Sequence, residues 1–373
     1  MRYRSTATHE RIAPPGGKEK SKRMKTRPTI KDIATMVGVS PTTVSYVLNQ
    51  NPNHKISEMT RKAIMDAAYK LQYVPNGAAR SLRYNSSHCI SVALEKSLTN
   101  TRFGALLQGI RNGLRQEGYW LMLFDFERAG SPNPDYLDCV LQRRADGIIY
   151  ISSDGRDPEP HSREMVIANS LPFVACDCCP PESELASVSF DYERGAFEIG
   201  CRLFGEGAKR VLYWRPSIRT DQEYYREAGL RQAAALYPEA SLTFSDLPYD
   251  TVSEMQHSER HTALSQICKQ HMTQDIIPQL AAFEAGDAVV CSWGIMVQHL
   301  SGLLSGSERR IKLASMSDAE APLLPEPRIL TSKPRFLYGG EECARLLMQQ
   351  IRGEAIENNR IIVAPETPQY LEL

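Results

Sequence analysis

The stretch Gly38-Val39-Ser40-Pro41-Thr42-Thr43-Val44-Ser45-Tyr46-Val47-Leu48-Asn49 decides how the rest of the chain is read. Ser40 is a good N-cap, Pro41 fits the first helical position, and Val44, Val47 and Leu48 form an inward stripe. Just upstream, Thr29 and Asp32 have the spacing of a capping box, and Ile33, Ala34 and Val37 repeat at helical spacing until Gly38 breaks the run. The spacing predicts two short helices joined by a tight glycine turn, with Thr42, Thr43, Ser45 and Tyr46 on the outer face of the second. A third helix fits residues 57–71, with Ser57 as cap and Ile64, Ala67, Ala68 and Leu71 inward. Three such helices over residues 29–73 make a small helix-turn-helix domain of the DNA-binding kind.

Charge points to the same partner. The chain has 373 residues and a net charge of zero, yet residues 1–88 carry 16 Lys and Arg against 5 Asp and Glu, and the remainder carries 28 against 39. A basic end on an acidic body is the asymmetry expected when one end meets a polyanion. Residues 1–28, with Pro14-Pro15-Gly16-Gly17 and the run Lys18-Glu19-Lys20-Ser21-Lys22-Arg23, have no apolar period and read as a disordered basic tail; Met24 offers a second start. Residues 74–88 read as a hinge and linker, because Tyr73-Val74-Pro75-Asn76-Gly77-Ala78-Ala79-Arg80-Ser81-Leu82-Arg83 is too short to hold a helix alone. The N-terminus lacks an apolar h-region, which favours the cytoplasm, and no apolar run approaches the roughly 18 residues a membrane helix needs.

From Cys89 to Leu373 strand-like and helical runs alternate. Strands are predicted at 89–94, 119–124, 147–152, 172–176, 187–191, 210–214, 288–292 and 311–316. Helices are predicted at 103–117, 133–144, 192–206, 221–236, 257–283, 294–305 and 340–353. The alternation implies parallel sheets flanked by helices, and the length implies two α/β lobes with a ligand cleft beyond the strand ends. Nine cysteines without paired CxxC spacing read as reduced thiols; a metal or redox site at Cys176-Asp177-Cys178-Cys179, or at His257 and His261 with Cys268 and His271, lacks firm ligand spacing.

Together, Thr29-Ile30-Lys31-Asp32-Ile33-Ala34, the segment from Gly38 to Asn49 and the run from Tyr73 to Leu82 resemble the lactose-repressor (LacI/GalR) family. The resemblance implies a helix-turn-helix headpiece joined to a body like a periplasmic sugar-binding protein. It further implies a homodimer that binds double-stranded operator DNA under control of a small-molecule effector. DNA contacts are implied at Thr29, Ser40, Pro41, Thr42, Thr43, Ser45, Tyr46, Asn49, Ser57 and Thr60, and at Asn76, Ala79 and Leu82 of the hinge, which would fold on the operator and wedge Leu82 into the minor groove. Many members carry Arg where this chain has Tyr46, so the preferred DNA sequence should differ. The sequence ends at Leu373 without a leucine heptad, so a dimer and not a zipper-built tetramer is expected.

For the effector, Arg226-Glu227-Ala228-Gly229-Leu230 resembles the family's Arg-x-x-Gly-aromatic segment, whose Arg reaches the ligand. Arg102 and Phe103 match the first pocket loop, with Arg102 where an aromatic is usual. Trp293 and Ser317 stand at the positions of two pocket acids. Two acids lost and one cation gained point to an anionic effector, such as a sugar derivative or another metabolite. The rival readings are a transport-type binding protein and, further off, an enzyme carrying a DNA-binding domain. The sequence has no GxSxG, HExxH, P-loop or strand-linked GxGxxG, so neither catalysis nor a cofactor is expected.

Overall fold

The computed structural model describes residues 28–49, 55–74, 86–94, 101–124, 132–152, 156–249, 257–305, 310–317 and 328–371. The expectations for the basic tail up to residue 27 and for Asn76, Ala79 and Leu82 of the hinge lie outside them. The chain divides into two compact units, Met1–Arg80 and Ser81–Leu373.

In the first unit α1 (Ile30–Val37), α2 (Pro41–Leu48) and α3 (Glu58–Lys70) enclose Ile33, Ala34, Val44, Val47, Ile64, Ala67 and Ala68. Local chemistry sets each boundary. The Asp32 carboxylate accepts from the Thr29 backbone N–H at 2.7 Å, tying down the start of α1. Gly38 ends that helix at φ +76°, a left-handed conformation that costs a residue without Cβ little, and its N–H reaches the Ala34 carbonyl at 2.9 Å. Ser40 and Ser57 accept from the backbone N–H groups of Thr43 and Thr60, each at 3.1 Å.

Among the described residues, the second unit holds two six-stranded sheets. The first has the order β11-β5-β4-β3-β1-β2, with β1 (Cys89–Leu94), β2 (Trp120–Phe124), β3 (Ile148–Ile151), β4 (Phe173–Cys176), β5 (Ala186–Phe190) and β11 (Arg360–Val363), all parallel. The second runs β12-β10-β9-β8-β6-β7, from β6 (Arg210–Pro216), β7 (Ser241–Leu247), β8 (Ala288–Cys291), β9 (Lys312–Ser315), β10 (Ile329–Thr331) and β12 (Gln369–Tyr370), where β12 alone is antiparallel. Helices α4 (Thr101–Gln116), α5 (Asp135–Leu141), α6 (Pro160–Ala168) and α12 (Phe336–Arg352) belong to the first lobe. The second lobe has α7 (Tyr192–Gly205), α8 (Asp221–Ala235), α9 (His257–His271), α10 (Ile277–Leu280) and α11 (Gly294–Leu304). The chain therefore crosses between lobes after β5, after β10 and after β11. Each sheet buries apolar side chains on both faces, as parallel sheets require.

The expected strands all form within a residue or two, whereas β7, β10, β11, β12 and α6 are additions to the predicted set. The helix predicted at 257–283 is interrupted by a π turn at Met272–Ile276, just before Pro278, whose missing N–H and ring cannot be housed in a regular α-turn.

Past the end of α7, Glu206 gathers the Tyr370 hydroxyl at 2.6 Å, the Lys312 ammonium at 3.0 Å and the Arg202 guanidinium, tying β12 and β9 to that helix. Partial burial alone would raise its pKa, but the three donors outweigh it and hold the carboxyl at about 2 against an ordinary 4.5. A depressed folded value stabilises the native state above the ordinary one and is lost as pH falls through about 2. Between pH 4.5 and 2 the protein should therefore lose on the order of 1–2 kcal/mol through this group after solvent screening. Denaturant midpoints of Glu206→Gln should fall less steeply over that window; parallel curves would remove the role assigned to Glu206.

Candidate functional site

Two surfaces gather the residues singled out from the sequence. On the headpiece, Pro41 and Thr42 at the start of α2 are exposed, and Thr43 and Tyr46 are partly so. Ser45 is a correction: it is 8% exposed and does not lie on the outer face. The inward arc of α2 is wide enough to take Ser45 beside Val44 and Val47, and the Asn49 side-chain amide closes over it, donating to the Ser45 carbonyl at 2.7 Å and hydroxyl at 3.2 Å. Ser40 pairs with Thr43 at 2.9 Å and Ser57 with Thr60 at 2.8 Å, so these four hydroxyls serve the helix starts. Their helix N-termini still present backbone N–H groups of the kind that meet phosphate.

In the body, polar side chains meet where strands of both sheets end. Asp177 follows β4 at φ +62°, an uncommon backbone for a residue with Cβ. Its carboxylate is buried and accepts from the Tyr192 hydroxyl and from the Gln222 side-chain amide, both at 2.7 Å. Tyr192 opens α7 but packs in the first lobe's core, whereas Gln222 lies in the first turn of α8 in the second lobe, so the latter bond crosses between lobes. Arg102 at the start of α4 lies 3.8 Å from Asp177, 3.4 Å from the Gln222 side-chain carbonyl and over the Phe103 ring. Phe103 itself is 1% exposed and packs within the first lobe's core.

One residue further along α8, Glu223 is 3% exposed and Arg226 4%. Glu223 accepts from Arg226 at 2.7 Å, from the Tyr213 hydroxyl at 2.6 Å and from the Ser292 hydroxyl. Arg226 also donates to the Ser292 hydroxyl at 3.1 Å and the Met316 carbonyl at 3.3 Å, and lies over the Tyr192 ring. Burial alone would lower the Arg226 pKa, but the Glu223 charge and the tyrosines around it push it up. Burial, then Asp177 for Tyr192 and Glu223 for Tyr213, push the two phenols well above their ordinary value, so both act as donors. Among the described residues, Arg226 Nε and the Ser317 hydroxyl are buried without a partner. Trp293 is half-buried and meets Tyr249 edge-on at 4.9 Å.

The structure thus brings Arg102 and Arg226 into one region with Ser317 near the second, and it overturns the premise that the region is short of two acids. Asp177 and Glu223 supply them from positions other than those of Trp293 and Ser317, so two carboxylates face two guanidinium groups. The cysteines beside Asp177 are free thiols, Cys176 and Cys178 buried and Cys179 exposed. Among the described residues no group of His, Cys, Asp or Glu is arranged to hold a metal, and no helix is long and apolar enough to cross a membrane.

Residues 29–76 match the family described as bacterial regulatory proteins, lacI family, and residues 88–363 match the periplasmic binding proteins and sugar binding domain of that family. The chain is similar to the HTH-type transcriptional repressor PurR of Vibrio campbellii, 30% identical over 219 residues that span 58% of this chain and 63% of that one. It is also similar to PurR of Vibrio parahaemolyticus, 32% identical over 208 residues, 56% of this chain and 60% of the relative. The matches therefore span less than two thirds of these relatives' lengths. Among solved structures, a LacI-family transcriptional regulator from Silicibacter pomeroyi aligns with a TM-score of 0.64 at 21% identity, over 92% of this chain and 98% of that one. The lac repressor dimer bound to operator and the anti-inducer ONPF aligns with a TM-score of 0.68 at 19% identity, again over 92% and 98%, a likeness of fold. With both family descriptions matched in order along one chain, this protein belongs to the lacI family of bacterial regulatory proteins.

Proposed function

We propose that the chain is a dimeric transcriptional repressor that binds operator DNA through its headpiece and answers to a small molecule bound between the lobes of its body. The observation that carries this reading is the exposed start of α2, Pro41 and Thr42, with the partly exposed Tyr46 one turn on from Thr42, on a helix-turn-helix within the basic N-terminal part of the chain. A helix of this kind enters the major groove by its N-terminal residues, and a single headpiece makes few base contacts, so two are needed to read two symmetric half-sites. Thr42 and Tyr46 read bases, and Thr29, Ser40, Thr43, Asn49, Ser57 and Thr60 position the headpiece on phosphates, with Asn76, Ala79 and Leu82 continuing the contact. The relatives' description as PurR repressors supports repression, and the family's regulatory character supports a role without catalysis.

The effector occupies the region of Asp177, Gln222, Arg226 and Ser317, beyond the strand ends where open α/β sheets take ligands. Since Arg102 and Arg226 are matched by Asp177 and Glu223, the region offers no surplus positive charge, and we favour an uncharged hydrogen-bonding effector over an anionic one.

The test is footprinting and gel shift on the protein's own promoter region. Two half-sites related by a two-fold axis are expected, and Tyr46→Ala should cost about 1–3 kcal/mol of specific affinity, the scale of one mismatched base pair, while non-specific binding stays the same. A single asymmetric half-site, or equal loss on all DNA, would sink the reading of α2.

A further inference from the structure

The first lobe's half of the cleft already holds a hydrogen-bonding group, and that group comes from the protein itself. The Gln222 carboxamide, 7% exposed, donates through Nε2 to Asp177 at 2.7 Å and accepts through Oε1 from Arg102 at 3.4 Å. Its orientation follows from its partners: reversed, the carbonyl would face a carboxylate and the amine a guanidinium. Both partners belong to the first lobe and Gln222 to the second, so this side chain does what a bound molecule does in a two-lobed binding protein.

Asp177 is built for the contact. It stands at positive φ, its backbone N–H is held by the Val188 carbonyl at 2.8 Å, and its other carboxylate oxygen is fixed by Tyr192. A residue held in a sparsely populated conformation with one oxygen already fixed by Tyr192 has its other oxygen aimed before anything arrives. Gln222 is held from its own side by α8, whose Thr220 cap and buried Glu223 fix the first turn.

We propose that Gln222 is an internal ligand of the cleft: it clasps the lobes together without an effector, and the effector displaces it by presenting the same edge, a hydrogen-bond acceptor beside a donor, as an amide or lactam does. The proposal rests on reading this cleft as the effector site. Displacement means that binding competes with the clasp, so apparent affinity is lower than the cleft's contacts alone would give. A carboxylate of similar size cannot replace the amide, because it would set a second negative charge against Asp177.

The experiment uses the full chain without effector, carrying spin labels at exposed Glu184 of the first lobe and Glu239 of the second, attached by a chemistry that spares the nine cysteines. Wild type should give one narrow distance distribution. Gln222→Ala, at a helical position where Ala is favourable, and Asp177→Asn, which keeps the side chain's shape, should each lose it to a shifted, broader one while far-UV circular dichroism stays native. Acetamide added to Gln222→Ala should restore the narrow distribution, and acetate should not. Wild-type distributions in both variants overturn the clasp; recovery with acetate, or with neither probe, overturns the amide edge. Because no effector is present, these failures differ from failure of the functional reading, which shows as an operator-binding response to small molecules that persists in Arg226→Ala.

Discussion

Replacing Glu223 with Ala should destabilise the body by about 3–5 kcal/mol, read as a shift of the denaturant midpoint at unchanged m-value. The pair it forms with Arg226 is almost wholly buried, and removal of one partner strands the other's charge where water cannot reach it. Two neutral groups suffer as well, since the hydroxyls of Tyr213 and Ser292 lose the acceptor they share. Arg226→Ala should cost a similar amount from the other side, so loss of effector response in that variant has to be measured at a temperature where it is folded. The double variant Glu223→Leu/Arg226→Met separates charge from packing. It should recover most of the stability, because apolar residues of like volume commonly replace a buried ion pair at little cost. If Glu223→Ala costs less than about 1 kcal/mol, or the double variant is no better than the single, the pair is not the internal counter-charge described above.

That pair also marks where the sequence stops being legible. The headpiece could be read residue by residue, since Thr29 with Asp32, Gly38, and Ser40 with Pro41 act through local backbone chemistry that spacing displays. The burial of Ser45 is not legible there, because it depends on how wide an arc of α2 the other helices cover, and that is a tertiary fact. In the body, strands made of apolar runs were found. The edge strand β7, where the alternation of Leu242 and Phe244 breaks at Ser245-Asp246, and the brief β10 and β12 carry too little pattern to stand out. Arg226 was legible through its motif. Glu223 was not, for a carboxylate on a helix reads as solvated; its one local signal is the i,i+3 spacing to Arg226 after the Thr220 cap. Asp177 has a better signal, an acid directly after the apolar run ending at Cys176, at the strand end where such sheets bind ligands, but the neighbouring cysteines overlay it with the residue types of a metal site.

Gly229→Ala should be the most damaging single methyl group in the second lobe. A Cβ built there would lie 2.1 Å from the Glu193 carbonyl oxygen, 2.8 Å from the Phe197 nitrogen and 3.0 Å from the Ala196 Cβ. The first two of these obstacles are backbone atoms of α7, so no rotamer change relieves them and α8 has to move away as a body. Overpacking of this kind costs typically 1–3 kcal/mol and here should reach at least about 3, since the clash is with main chain. The displacement also acts on function, because α8 carries Gln222, Glu223 and Arg226, and a shift of the helix moves all three relative to Asp177 and Ser292. Gly104→Ala is the control. It too lies in a helix, α4, but a Cβ there meets nothing within 4 Å, so the substitution should stabilise the protein by about 0.5–1 kcal/mol through the lower backbone entropy of Ala in the unfolded chain. The two variants make the same chemical change in the same kind of element, and helix propensity alone predicts a gain from both. Opposite signs in the unfolding free energies would show that the approach of α7 and α8 sets the requirement at Gly229, and two gains would show that the helices can separate at no cost.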